Sequence, residues 1–138
     1  MKMNIVYKAM TGVLLLCAGT AAMAWAQGGD LSLLQSIDRG MWQLRAVGGG
    51  PSGASVNQIC VGDPVRLTQI QHGTALCEQY VVRSSPTSVT VSYSCKGAGQ
   101  GLTTIRKESG KLIHIQSQGI RNNSPFSFAV EGRHTGAC

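Results

Sequence analysis

The chain has 138 residues, with 12 Lys or Arg against 6 Asp or Glu, a net charge of +6 at neutral pH. The basic residues are scattered and are not gathered into a stripe with stacking aromatics, so nucleic-acid binding is not expected. The acids are too few and too dispersed to suggest paired-carboxylate chemistry.

The chain opens with MKMNIVYK, which carries Lys2 and Lys8 and no acid. An apolar run follows from Ala9 to Ala26, with its greasiest part at residues 13–17. Small-x-small sites stand at Ala22-Met23-Ala24 and Ala24-Trp25-Ala26. This order predicts a secretory signal peptide over residues 1–26, cleaved after Ala26, with cleavage after Ala24 as the alternative. Leu16 precedes Cys17, where a lipoprotein signal needs a small residue, so Cys17 reads as part of the apolar run. Cleavage leaves a single domain over residues 27–138, with ten basic residues against six acids and a net charge of +4. Four cysteines remain, Cys60, Cys77, Cys95 and Cys138, in a compartment that can oxidise them.

Asp30 is a candidate N-cap for a short helix over residues 31–38. Leu31, Leu34 and Ile37 share its apolar face, and Gly40 suits its stop. Residues 40–47 alternate as a strand with Trp42 toward the core. GGGPSG at residues 48–53 is a loop, and no Gly-Lys-Ser/Thr follows to make it a phosphate loop. Residues 55–60 read as a second strand ending at Cys60. Asp63 as cap and Pro64 at the first helical position predict a helix to about Gln71, stopped at Gly73.

Residues 75–83 and 88–96 surround a Ser-Ser-Pro-Thr turn and predict a hairpin. Folding about Pro86 opposes Val81 to Val91, Gln79 to Tyr93 and Cys77 to Cys95. Four cysteines allow three pairings; this register selects Cys77–Cys95 and leaves Cys60–Cys138. Tyr80 and Val82 fall on the polar side of the hairpin, which suggests that this second face is partly covered. GAGQG at 97–101 is a turn. Strands at 102–107 and 111–118 bracket Glu108-Ser109-Gly110. A three-residue loop with Gly110 left-handed would oppose Lys107 to Lys111 and Ile105 to Ile113. After a turn at RNNSP, the last run alternates Phe126, Phe128 and Val130 inward. The fold class is therefore mostly β. We expect one domain rich in antiparallel sheet, a sandwich or open barrel of about seven strands, with one or two short helices and two disulfides.

Gly40-Met41-Trp42, the cysteine spacings, the Cys95-Lys96-Gly97 corner and the ending Arg133-His134-Thr135-Gly136-Ala137-Cys138 carry a resemblance. They resemble the domain-of-unknown-function family 3617, small exported proteins of Gram-negative bacteria. Its pattern is G-x-W, then spaced cysteines, then a closing R-x-x-G-x-C, matched over residues 40–138. The resemblance implies a periplasmic or exported β domain and supplies no activity.

His72, His114 and His134 show no metal-ligand spacing and are expected on the surface or partly buried. Gly50-Pro51-Ser52-Gly53 lacks the spacing of a nucleophile elbow. Glu78 is expected beside Lys96, which would keep it ionised. Trp42 and Arg133 are the structural or partner-contact candidates, Arg133 as half of a buried pair or as a contact residue. The sequence thus points to a non-enzymatic binding or interaction module of the cell envelope. No catalytic, cofactor or metal residue is assigned. Its partner would be an envelope protein, a glycan or a lipid, and the processed chain would not span a membrane. A small hydrolase or metal-dependent enzyme using the histidines is the alternative. A carrier of a small apolar ligand is a second, with thin lining from Trp42, Tyr80, Tyr93, Phe126 and Phe128.

Overall fold

The computed structural model describes residues 29–48 and 56–138. The segment read as a signal peptide, with Cys17 and the cleavage expected after Ala26, and most of the GGGPSG loop lie outside them. Seven strands form one antiparallel sheet: β1 (Gly40–Ala46), β2 (Val56–Val61), β3 (Cys77–Ser84), β4 (Ser88–Cys95), β5 (Gly99–Ser109), β6 (Leu112–Arg121) and β7 (Ser124–Gly136). Their spatial order is β2-β1-β7-β6-β5-β4-β3. Strands β3 to β7 are a meander, β1 adds to β7, and β2 folds back on β1. The sequence allows a sandwich or an open barrel; the strands lie in one antiparallel sheet with β2 and β3 as its two edges.

That order creates a crossing. Strands β2 and β3 are consecutive in the chain but occupy opposite edges of the sheet. Their connection, a 3-10 segment over Pro64–His72, therefore traverses one face, against β4, β5 and β6. Asp63 caps it by accepting from the Val65 N–H at 3.0 Å, Pro64 opens it, and Gly73 at φ 55° ends it. The expected position holds; the tighter 3-10 winding and a break at Gln69 replace a regular helix.

Helix α1 (Ser32–Gln35) is shorter than the 31–38 expected. Leu31 occupies the N-cap, and Asp30 acts from one residue earlier, accepting from Ser32 N at 3.1 Å and Ser32 Oγ at 2.6 Å. These two donors hold the Asp30 carboxyl below its usual range. The chain turns away after Ser36 because Ile37 and the following strand must reach the same core as Leu33 and Leu34.

The core lies between the sheet and these two segments. Leu33, Leu34, Ile37 and Leu67 pack on Trp42, Val89, Val91, Ile105, Ile113 and Ile115, all buried. Trp42 is fully enclosed; its indole N–H donates to the Asp38 carbonyl at 2.9 Å. Burial with its one polar atom satisfied is the condition under which tryptophan contributes most to a core.

The hairpin β3–β4 has the expected register from Cys77↔Cys95 through Val81↔Val91, then slips by one residue at Val82. The β5–β6 hairpin differs from expectation. Ile105 faces Ile115 and Lys107 faces Ile113, two residues off the predicted pairing. The turn is two residues, Gly110 and Lys111, with a bulge at Glu108, and Gly110 is not left-handed. A slip of two preserves the parity of the strand, so Ile105, Ile113 and Ile115 still share the inner face. Between β6 and β7, Asn122 and Asn123 at φ 47° and 64° make the tight turn expected there.

Both disulfides are formed. Cys77–Cys95 joins directly opposed residues with Cα atoms 4.0 Å apart. Cys60–Cys138, at 5.6 Å, ties edge strand β2 to the end of β7, the two neighbours of β1.

Candidate functional site

The residues singled out in the sequence do not converge. Arg133 is not half of a buried pair: its side chain is 62% exposed, and Nε donates to Glu131 Oε1 at 2.7 Å. It lies on the face of β7 turned away from the core, so no burial is required of it. Trp42 is core. Glu78 and Lys96 are both exposed, and no ion pair joins them among the described residues. Glu78 is opposed by Ser94 instead.

The histidines take three separate places. His72, at the end of the 3-10 segment, is buried against expectation. The Ile120 carbonyl, 3.2 Å from Nε2, can only accept, so Nε2 carries the proton and Nδ1 accepts from the Tyr93 hydroxyl at 3.2 Å. The ring meets Tyr93 and Phe126 edge-on at 5.3 and 5.9 Å. His134 packs edge-on to Trp42 and contacts the Arg39 carbonyl at 3.0 Å. It stands eight residues along β7 from Phe126, about 26 Å at ~3.3 Å per residue. His114 is on the other face, 3.9 Å from Glu108. Among the described residues no three His, Cys, Asp or Glu are close enough to hold a metal ion.

A polar network does run through the inner face. The Thr103 hydroxyl donates to the Thr68 carbonyl at 2.6 Å and bonds the Ser117 hydroxyl at 2.8 Å. Burial pushes the Tyr93 phenol above its usual range, with Ser117 opposing in part. These bonds fasten the crossing segment to β4, β5 and β6. Each group finds a partner inside the fold, which is the arrangement expected of buried polar atoms.

The more open feature is on the other side of the same strands. Tyr93, Gly101, Gly119 and Phe126 are opposed in one row across β4, β5, β6 and β7, and their Cβ positions face inward. On the outer face this row shows backbone only. The rows on either side stand up as walls: Ser94, Gln100 and Ile120 on one, Ser92, Leu102, Gln118 and Ser127 on the other. Between them lies a trough of 530 Å3, lined by these residues. It crosses four strands, about 14 Å at ~4.8 Å per strand spacing. The Tyr93 ring fills the inner side of Gly101: a methyl group added there would lie 2.5 Å from the phenol oxygen. One at Gly119 would collide with the Gln100 carbonyl. Gly101 thus lets the floor sit close on the Tyr93 ring beneath it, and Gly119 lets β6 approach the backbone of β5.

Apolar side chains gather at the trough. Leu102 and Ile120 are 37% and 43% exposed, and Tyr80, in register with Ser92 and Leu102, is 72% exposed. The expectation that this face is partly covered is not met for Tyr80 or Val82 among the described residues. None of the trough's lining residues carries a charge at neutral pH. One charge of this face, Glu78, stands on edge strand β3 opposite Ser94, at the end of one wall; others lie toward the other end of the strands, in the row Arg106, His114, Glu131 and Arg45. Arg106 pairs with Glu108 at 3.0 Å there.

Sequence reasoning flagged Tyr80 and missed the rest of the trough. A signal existed: Leu102 and Ile120 are out of phase with Ile105, Ile113 and Ile115, so alternation alone sends them outward. Which outward residues share a row depends on the register of four strands, which alternation does not set.

No protein family, curated protein or solved structure matches the chain.

Proposed function

We propose that this chain is an exported, disulfide-stapled β domain of the periplasm that works by binding, through the outer face of its sheet, and not by catalysis. The observation that carries the binding reading is the trough: uncharged, open, and flanked by exposed Tyr80, Leu102 and Ile120. Contiguous apolar surface on a small protein marks an interaction site more often than scattered apolar residues do. Export rests on the basic-apolar-small order of residues 1–26 and on two disulfides, which persist in oxidising compartments. Among the described residues no helix is long and apolar enough to cross a membrane. Placement among the exported proteins of the domain-of-unknown-function family 3617 belongs to the same proposal.

Two measurements test it. N-terminal sequencing of periplasmic material should return Gln27; Met1 would remove the export reading. A photo-crosslinking residue at position 102 or 118 should give envelope adducts that the same probe at position 45, in the charged row, does not. Equal labelling at the three positions, or none, would remove the binding reading.

A further inference from the structure

The ligand of this face can be narrowed by the chemistry of its walls. We infer that the trough binds a neutral, polyhydroxylated chain, an uncharged oligosaccharide, with Gln100, Gln118, Ser92, Ser94 and Ser127 as its hydrogen-bonding groups. This rests on the reading of the outer face as the binding face.

Three observations converge. The first is the donor set. A sugar hydroxyl donates and accepts at once. Serine hydroxyls and glutamine amides do the same, whereas Lys and Arg only donate and ionised carboxylates only accept. The five polar side chains lining the trough are all of the two-way kind. A cationic or anionic ligand would be met by opposite charge, and the lining has none; the charge at the end of the Ser94 wall, Glu78 on edge strand β3, disfavours an anion.

The second is the placement of apolar groups. A pyranose ring presents hydroxyls at its rim and C–H groups on its faces. Leu102 and Ile120 stand on opposite walls of the trough, and Tyr80 continues the Leu102 wall onto the edge strand. Tyr is suited to such a place because it offers an apolar face and a polar tip together. A few placed polar groups among apolar ones is the usual composition of a small-ligand site.

The third excludes a competing occupant. A peptide that adds to a sheet uses free backbone groups at a strand edge. The floor here is formed by interior strands whose ladders already pair β4 with β5, β5 with β6 and β6 with β7. An occupant of the trough must therefore bind by side chains across the strands. Its length, about 14 Å by strand spacing, suits a short oligosaccharide lying crosswise.

The experiment titrates the oxidised protein, residues 27–138, with cellotetraose and chitotetraose, and with tetragalacturonate as the anionic control. Amide chemical shifts report the site and the affinity. At least one neutral probe should shift the amides of Gly101, Gly119 and their row neighbours, saturating in the millimolar range or below. Gln100→Ala combined with Gln118→Ala should weaken it about tenfold or more, since each removes hydrogen bonds to the ligand. Arg106→Ala, in the charged row, should leave it unchanged. Both glutamines are exposed, so the double variant should keep the parent Tm, which is measured alongside.

The inference is overturned if neither neutral probe shifts these amides, if the double variant binds as the parent does, or if tetragalacturonate binds more tightly. It is also overturned if light scattering shows two copies of the chain joined through this face. Failure here with adducts still formed from positions 102 and 118 would leave the binding reading standing and make the occupant a protein or a lipid.

Discussion

Along β4, Val89, Val91 and Tyr93 are buried beneath the crossing segment, while Thr90, Ser92 and Ser94 face the other way. Strands β5 and β6 repeat the division, with Ile105, Ile113 and Ile115 buried and Gln100, Gln116 and Gln118 exposed. The two faces obey different rules. The inner face is completed by helical segments from the same chain, so its side chains are chosen for fit. The outer face has no such cover among the described residues, yet it keeps Tyr80, Val82, Leu102 and Ile120. An apolar group inside is explained by folding. One outside, grouped with others, asks for a partner.

The sharpest way to break this comparison is to damage the inner face. Trp42→Ala should cost about 3–5 kcal/mol, because the ring is fully buried and α1, β1 and His134 all rest on it. Urea unfolding of the oxidised protein measures it. A cost near zero would mean that the core does not depend on this contact.

The faces also differ in how far they could be read in advance. Parity along a strand is set by alternation, and it survived even where the β5–β6 register was off by two. The inner face was therefore legible, and with it the Cys77–Cys95 opposition in β3–β4. Long-range order was not. That β1 lies between β2 and β7 is a matter of long-range strand order, and short apolar runs carry no label for their partner strand. The trough depends on that order and on two glycines: Gly101, which reads as part of the 97–101 turn, and Gly119, which falls just past the strand expected to end at 118. Arg133 failed for a related reason: an arginine in a closing motif carries no mark of which face it will occupy.

The staples give the next largest effect. Cys60–Cys138 spans 78 residues and ties an edge strand to the chain end; Cys77–Cys95 spans 18 within one hairpin. In the chain-entropy account the first approaches ~4.7 kcal/mol and the second about 3. Cys138→Ser should therefore destabilise more than Cys77→Ser combined with Cys95→Ser. The hairpin keeps its backbone ladder without the bond, whereas β2 is paired on one side alone. Equal losses in Tm would show that local strand pairing, and not loop closure, sets the contribution of each bridge.

A smaller effect is chemical. Tyr93 loses a proton less readily in the fold than in the unfolded chain, because burial disfavours the phenolate. Its folded pKa lies above its unfolded value of about 10. The contribution is present below that unfolded value and is lost as pH rises toward and through the folded one. Urea midpoints measured from pH ~9 to ~11 should fall more steeply for the parent than for Tyr93→Phe. At neutral pH the variant should itself lose about 1–2 kcal/mol, since His72 Nδ1 is left without its donor. Parallel curves would place the phenol in contact with water, and the inner face would then not be sealed at that end.

The smallest expected effect bears most directly on function. Tyr80 is as large as Tyr93, lies one strand away, and is 72% exposed where Tyr93 is 2% exposed. If folding were the reason for Tyr80, its removal would open a cavity or strip a contact, and stability would fall by kilocalories as it does in a core. Its surroundings offer neither. The ring stands on edge strand β3 over Ser92, and among the described residues no segment of the chain covers it. Tyr80→Ser should therefore change stability by no more than about 0.5 kcal/mol, the range of ordinary surface substitutions. The same variant should weaken any ligand that lies along the Leu102 wall, because that ligand would lose the ring's apolar face. Stability unchanged with binding reduced assigns the residue to function. A large loss of stability would mean that residues outside the described part of the chain fold over this face, and the trough would then belong to the core.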